Sequence, residues 1–402
     1  MNLIEEWLND VDEYESPSSY WYWSFLTAIA ATVSNRVYLD RFDVGHLYPN
    51  IYVFLFGKSG LRKGVPINKA KELVTRVANT RIISGRMSIQ SLVEQLGKAY
   101  SREGQPPLVE ATAFISASEF ASSLVEDPQA LTILTDLYDG HYYETNPWKN
   151  SLKSGGESLK RPNITMIGGI NSPHFREAIQ TNSIEGGFIG RTFIILETKK
   201  HRSNSLVDKP NRTLNLDYYE TQLREIGKLT GPIAWSTPGK NLYRAWYHEI
   251  DKLEIDDNTG TIMRLGDHVL KVAMLIALAD GAMELKEAYV ESSIKVCSDF
   301  SSNATRVTTD NSKGTSQLSP VLKKIMEILH SNPEHRLSRR IILQKLYPDG
   351  VLSVEIDACT NTLVEMGFMQ VERNGHDLYL SMDAVGLKAY ESIFLKGKVK
   401  ES

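Results

Sequence analysis

Residues 50–69, NIYVFLFGKSGLRKGVPINK, constrain this chain more than any other stretch. Ile51 to Phe56 is an unbroken run of β-branched, aliphatic and aromatic side chains, which reads as a strand buried on both faces, as in a helix-covered parallel sheet. Gly57-Lys58-Ser59-Gly60-Leu61-Arg62-Lys63-Gly64-Val65 follows, and from Ile67 the pattern reads as a helix. Buried strand, glycine-containing turn, lysine and helix are the parts of a phosphate-cradling loop, written G-x-x-x-x-G-K-[ST]. The turn aims backbone N–H groups inward, the helix N-terminus favours an anion, and the lysine reaches the β- and γ-phosphates. Gly57 and Lys63 keep the spacing. Arg62 stands where the second glycine belongs, and Gly64 stands where a hydroxyl would hold Mg²⁺. The stretch 57–65 is therefore a candidate nucleotide site, with a plain strand–turn–helix as the alternative.

The remaining composition sets outer bounds. A length of 402 residues suggests two or three domains, and an apolar content of 42% with 23% charged residues is ordinary for a globular protein. The net charge of −4 gives no overall pull toward nucleic acid, so such binding would need local patches. Cys297 and Cys359 are too few for a disulfide framework or a zinc site, which points to a reducing, cytoplasmic setting. Residues 1–15 are acidic, unlike a signal peptide, and the apolar run Tyr20 to Val33 is too short to span a bilayer. No membrane partner is expected.

Taken in order, Ser16-Pro17 reads as an N-cap and first-turn proline ahead of a helix, 20–35, that is apolar nearly all round. Short strands are expected at 36–40 and 82–83, with a helix over 87–100 capped near Ser88. Ala113 to Ala117 is a second buried strand, ending at Ser118-Glu119. A strand near a phosphate loop commonly ends in acids that hold Mg²⁺ and polarise the attacking water. Here Ser118 takes the first place, leaving Glu119 either as the catalytic base or as a helix first-turn acid.

The segment 141–162 is polar and locally basic. Lys149, Lys153, Lys160 and Arg161 are interleaved with Tyr142, Tyr143 and Trp148, a mixture that suits single-stranded DNA, since cations follow phosphates and rings stack on bases. A solvated hairpin has the same composition. A third strand, 163–169, ends near Asn171, which either senses a γ-phosphate or caps the next helix. Arg191 follows a glycine-rich turn and precedes the strand 192–196; it is either an arginine finger for a neighbouring subunit or a surface ion pair. Amphipathic helices are expected over 216–229, 238–253, 261–280 and 288–303. In the third of these, Arg264 and Lys271 share a face, forming a lid over the nucleotide or a solvated rim.

Residues 305–317 are a polar linker. Beyond it, three helices (320–330, 338–346, 353–366) and two strands joined at Asn374-Gly375 read as a winged helix-turn-helix. The third helix carries Glu355, Asp357 and Glu365 but no Lys or Arg, which is poor for a major groove. Arg336, Arg339, Arg340, Lys345 and Arg373 are left to touch phosphates, with docking of a replication protein as the alternative.

These features in this order resemble the P-loop ATPases encoded by phages, prophages and plasmids, described as helicase-like or primase–helicase-like. The resemblance rests on the aromatic helix before the loop, SGLRKG, SASEF, LYDG, GGINSP, GGFIGR and RLGDHVLKVAMLIALA, and covers residues 15 to 300. It implies nucleotide roles for Lys63, Glu119, Asn171 and Arg191, with ATP as cofactor. Mg²⁺ is in question, because Gly64 and Ser118 lack the usual ligands. The expected fold is an α/β P-loop NTPase core, RecA-like or AAA+, with a helical subdomain and a C-terminal winged helix. Its pieces are 1–49, 50–200, 201–304, the linker 305–317 and 318–395. The expected function is an ATP-driven DNA helicase or replication motor working as a ring-shaped homo-oligomer, such as a hexamer. The alternatives are a weakly or non-hydrolysing, nucleotide-gated initiator or loader, and a scaffold that binds no nucleotide.

Overall fold

The computed structural model describes residues 2–42, 45–85, 88–101, 108, 110–117, 128–139, 147–150, 157–170, 187–203, 214–251, 260–298, 318–349, 351, 353–375 and 377–390. The chain divides into two compact units, 1–308 and 309–402, at a boundary inside the polar segment 305–317.

Residues 1–308 are built on a five-stranded, wholly parallel sheet. Its strands are β3 (Tyr52–Phe56), β4 (Arg81–Ser84), β5 (Thr112–Ala117), β8 (Asn163–Ile170) and β9 (Thr192–Leu196), with two short strands β6 (Trp148–Asn150) and β7 (Glu157–Leu159) forming a separate hairpin. The order across the sheet is β4-β5-β8-β3-β9. All five residues of β3 and all eight of β8 are buried, as continuous apolar runs at the centre of a two-sided sheet must be. The chain leaves β3 toward the far edge at β4 and leaves β8 in the other direction, over β3, to reach β9. The carboxyl ends of β3 and β8 therefore flank the crevice where doubly wound sheets bind ligands.

Helices cover both faces. Tyr52 and Phe193 point to opposite faces, since Tyr52 pairs with Thr192 and Val53 with Phe193. On one side Trp23 of α2 (Ser18–Val33) packs on Phe193, ring centroids 4.8 Å apart. On the other, the Tyr52 hydroxyl donates to the carbonyl of Leu134 in α5 (Pro128–Tyr138) at 3.1 Å. Between them in sequence lie α3 (Gly64–Val77), packed against α2, and α4 (Ile89–Gly97), packed against α5. Within α2 the hydroxyls of Ser24, Thr27 and Thr32 bond back to carbonyls three or four residues earlier, so they sit in the core with their donors satisfied.

The N-terminal segment and the region after β9 belong to the same core. Trp7 of α1 (Leu3–Asp10) stacks on Phe25 and meets Tyr219 of α6 (Leu216–Ile226) edge-on. Strand β1 (Val37–Asp40) pairs antiparallel with β2 (His46–Leu47) and parallel with β10 (Gly231–Pro232), while β11 (Ala234–Trp235) pairs with β12 (Glu284–Leu285). Helices α7 (Thr237–Asp251), α8 (Leu265–Ala279) and α9 (287–298) complete the unit. One hydrophobic cluster runs from Leu3 to Cys297.

Residues 309–402 have their own core, with Ile325, Leu329, Ile342, Ile356, Cys359 and Leu363 at its centre. Helix α10 (Leu318–His330), strand β13 (Arg336–Ser338), and helices α11 (Arg339–Leu346) and α12 (Ser353–Glu365) precede the hairpin β14 (Gln370–Asn374)–β15 (Asp377–Ser381) and the final helix α13 (Ala384–Tyr390). The sheet order is β13-β15-β14, antiparallel. Gly375 in the hairpin turn has φ 63°, the left-handed conformation that such tight turns require. Among the described residues, no helix is long and apolar enough to cross a membrane.

Candidate phosphate loop and buried cation cluster

The loop after β3 is drawn tightly against its neighbours. A Cβ on Gly57 would lie 2.3 Å from Leu61 Cδ1, 2.7 Å from the Tyr20 hydroxyl and 2.8 Å from the Glu197 carbonyl, so only glycine fits. Two residues adopt positive φ, Gly60 at 94° and Arg62 at 57°. Position 62 thus has the backbone conformation that a glycine adopts freely, and an arginine there costs about 1–2 kcal/mol. Its neighbours hold it. Arg62 Nε donates to Glu15 at 2.9 Å, and the Ser16 hydroxyl donates to the Arg62 carbonyl at 3.1 Å. Ser16 was the expected N-cap of α2; instead Pro17 occupies that position and the serine hydroxyl serves the loop.

Lys63 immediately precedes α3. Its ammonium curls back across the loop onto the carbonyls of Gly57 and Lys58, at 2.5 and 3.3 Å. No side chain caps the N-terminus of α3, but Pro66 has no N–H and the Val65 N–H donates to the Arg62 carbonyl at 3.1 Å, so of the first three residues Gly64 supplies the N–H that an anion at the loop could use. Lys58 is exposed on the rim, and Lys200, just beyond β9, shares the buried Glu15 carboxylate with Arg62, donating to it at 2.8 Å. The rim is therefore cationic, and this arrangement fits a polyphosphate. It offers less to Mg²⁺, because Gly64 supplies no side-chain oxygen.

The other expected contributors lie at various distances from the loop. β8 ends at Ile170 in register with Phe56, so the two chains leave adjacent strand tips, while Asn171 itself lies outside the described residues. β5 ends at Ala117, with β8 between it and β3; Ser118 and Glu119 are likewise outside the described residues, as is Lys153. In the β6–β7 hairpin Lys149 and Lys160 are exposed, but Trp148 is buried and cannot stack on a base. Arg161 is tied to Glu110 at 2.7 Å.

Arg191 and the pair Arg264 and Lys271 lie at the opposite end of the sheet, near the amino ends of β3 and β9. Five strand residues put that end about 17 Å from the loop. Of the two readings of Arg264 and Lys271, the lid over the chain's own loop is excluded by this distance, and the solvated rim fails for Lys271, which is buried. Arg191 is buried and binds Asp139 through Nε and Nη2, at 3.1 and 2.5 Å, while its Nη1 donates to the Gly187 carbonyl at 2.9 Å. Arg264 approaches the same carboxylate at 3.7 Å. Burial raises the Asp139 carboxyl, but hydrogen bonds and charge from Arg191, then Arg264 and Lys271, outweigh it and hold the group below its ordinary value. His268 meets the Gly190 carbonyl through Nε2 at 2.8 Å, and burial keeps its ring neutral, with a pKa lowered to about 4.

Lys271 is fully inside. Its ammonium donates to the backbone and side-chain oxygens of Asn50 at 2.9 and 2.7 Å and lies 4.1 Å from the centroid of the Tyr138 ring. Burial pulls its pKa down to about 7, against the opposing pull of Asp267 and Asp139. The unfolded chain keeps that proton to about pH 10.4. Between the two values the unfolded state binds more protons, so stability rises with pH, and below pH 7 the slope vanishes. We expect Lys271→Met to flatten the rise by about 1.4 kcal/mol per pH unit between about pH 7.5 and 9.5. Urea unfolding followed by tryptophan fluorescence reads this, because all six tryptophans lie in residues 1–308. Equal slopes for variant and parent would contradict it.

Sequence reasoning did not single out Glu15, Asp139 or Asn50 as site residues. Asp139 stood only within the LYDG segment, with no role given to it, and the partners of Glu15 and Asn50 are 47 and 221 positions away. No protein family matches this chain, and no curated protein sequence does either.

Proposed function

We propose that residues 1–308 form a P-loop nucleoside-triphosphatase, ATP being its nucleotide, and that the chain works on DNA as a ring-forming replication motor. The observation that carries this reading is the loop between β3 and α3: left-handed at Gly60 and Arg62, closed by Lys63, and set at the switch point of a parallel sheet. In this reading Lys63 releases the Gly57 and Lys58 carbonyls to hold the β- and γ-phosphates. The Gly64 N–H at the start of α3 donates to them, and Glu15 keeps Arg62 and Lys200 at the rim. Glu119 orients the attacking water and Asn171 contacts the γ-phosphate. Arg191 would serve the nucleotide of the next copy only by exchanging Asp139 for phosphate; within the chain it is the buried ion pair with Asp139. Lys149 and Lys160 contact single-stranded DNA.

One observation favours the rival reading, a nucleotide-gated initiator or loader with little turnover: the absence of a side chain at Gly64, where Mg²⁺ would find a ligand. In residues 309–402, which we read as a winged helix-turn-helix, Arg339 is paired with Asp357 at 2.6 Å and Arg336 with Glu372 at 2.8 Å. These two cations are committed within the unit, which leaves the exposed Arg340, Lys345 and Arg373 for phosphate contact, with docking of a replication protein as the alternative.

Steady-state ATP hydrolysis with and without single-stranded DNA separates the two readings. The motor requires turnover that rises several-fold with DNA. In the Lys149→Ala/Lys160→Ala double variant the stimulation weakens, and the salt dependence of DNA binding becomes shallower by about 1.4 in slope for the two lost phosphate contacts. Nucleotide binding without DNA-stimulated turnover would overturn the motor and leave the gate.

A further inference from the structure

Residues 12–17, which join α1 to α2, form a polar strap across the carboxyl ends of β3 and β9. Asp12 pairs with His201 at 2.8 Å and with Arg202. Glu15 pairs with Arg62 at 2.9 Å and with Lys200 at 2.8 Å, and its carbonyl accepts the His201 N–H at 3.0 Å. The Ser16 hydroxyl reaches the Arg62 carbonyl. In the first turn of α2, the Ser19 hydroxyl donates to Glu197 at 2.6 Å and the Tyr20 hydroxyl to the Phe56 carbonyl. These basic partners come from the phosphate loop and from the run Lys199-Lys200-His201-Arg202, just after β9.

Burial within this network is uneven. The Glu15 side chain is 8% exposed, against 43% for Arg62 and 35% for Lys200. A carboxylate taken that far out of water is stable only when it is paired, whereas the two cations would be comfortable in solvent. Arg62 is also the loop residue with φ 57°. A glycine adopts that conformation freely, so what an arginine adds at position 62 is its side chain, and that side chain is bonded to Glu15. Lys63, in the same loop, rests on the Gly57 and Lys58 carbonyls. The cations of the loop and its rim are thus engaged by acceptors of the chain itself, which a bound polyphosphate would have to replace.

We propose that Glu15 is a built-in competitor for the phosphate loop: a bound polyphosphate takes Arg62 and Lys200 from it, and the strap loosens as a result. A triphosphate offers those cations several charges where Glu15 offers one, and a carboxylate left beside phosphate repels it. This role rests on the nucleotide reading of the loop and adds to it a readout. The strap is the direct link between α1 and α2, and both helices are fixed by the stack of Trp7 on Phe25. The change is therefore confined to residues 12–17, on the surface above the loop.

Glu15→Gln keeps the shape of the side chain and an acceptor oxygen but removes the charge. ATP binding by titration calorimetry and amide hydrogen exchange with and without saturating ATP are measured on the full chain, parent and variant. The variant should bind ATP about tenfold more tightly. Exchange at residues 12–17 should speed up several-fold when ATP saturates the parent, and should be fast in the variant with or without ATP. Exchange at Tyr52–Phe56 should stay slow in both, which reports an intact core. Binding by the variant alone is the same result in its extreme form. If the parent binds ATP but the variant binds no more tightly, or if exchange at 12–17 ignores ATP in the parent, Glu15 is a structural anchor. The competitor role is then overturned while the nucleotide reading stands. If neither protein binds ATP, the nucleotide reading falls and the competitor role falls with it.

Discussion

Asp139→Ala should lower the unfolding free energy of residues 1–308 by about 3–5 kcal/mol, the usual cost of stranding a buried charge. The carboxylate binds two guanidinium nitrogens of Arg191, whose side chain is 10% exposed, and lies 3.7 Å from Arg264. Lys271 also feels its charge. Without it, the cations of the pocket repel one another with little water to screen them. Asp139→Asn keeps an acceptor and should cost less. Replacing both partners, Asp139→Leu with Arg191→Met, should cost well under the sum of the single losses, because neither charge is then left alone. Urea unfolding by tryptophan fluorescence measures all of these. A loss below about 1 kcal/mol for Asp139→Ala would mean that the pair is solvated rather than buried.

Lys63→Ala carries the second large effect, on nucleotide affinity. In the structure the ammonium rests on two loop carbonyls, so its removal leaves the fold nearly untouched and falls on the ligand. Hydrogen bonds from a charged group to phosphate are worth about 1.5–3 kcal/mol, which translates to roughly a ten- to 150-fold weaker affinity for ATP. Gly57 and Arg62 still set the loop shape, so the variant should stay folded, with a stability loss of about 1–2 kcal/mol for the two hydrogen bonds to loop carbonyls.

The strands that carry the loop were legible because their signals are local. The run Ile51–Phe56 has no polar group but the Tyr52 hydroxyl, and Asn163–Ile170 is nearly as apolar, so both read as buried. Helix α4 begins after Ser88, whose side chain caps it as its sequence suggested. What stayed hidden depends on residues far away in the chain. Lys271 looked like a solvated rim because the groups that hold its ammonium inside, Asn50 and the Tyr138 ring, lie far from it in sequence. Trp148 sits in a polar, basic stretch, yet its ring is buried. The order of the strands was out of reach for the same reason: each parallel pairing joins segments separated by crossovers, and no spacing within a segment encodes it.

The measurement that bears most directly on the account is equilibrium binding of ATP to the full chain, by titration calorimetry, for the parent and for Lys63→Ala. The account predicts one ATP bound per parent chain, and affinity reduced at least tenfold in a variant that remains folded. Equal affinities, or no binding by the parent, would mean that the strand–loop–helix at residues 52–77 is a structural turn and not a phosphate site.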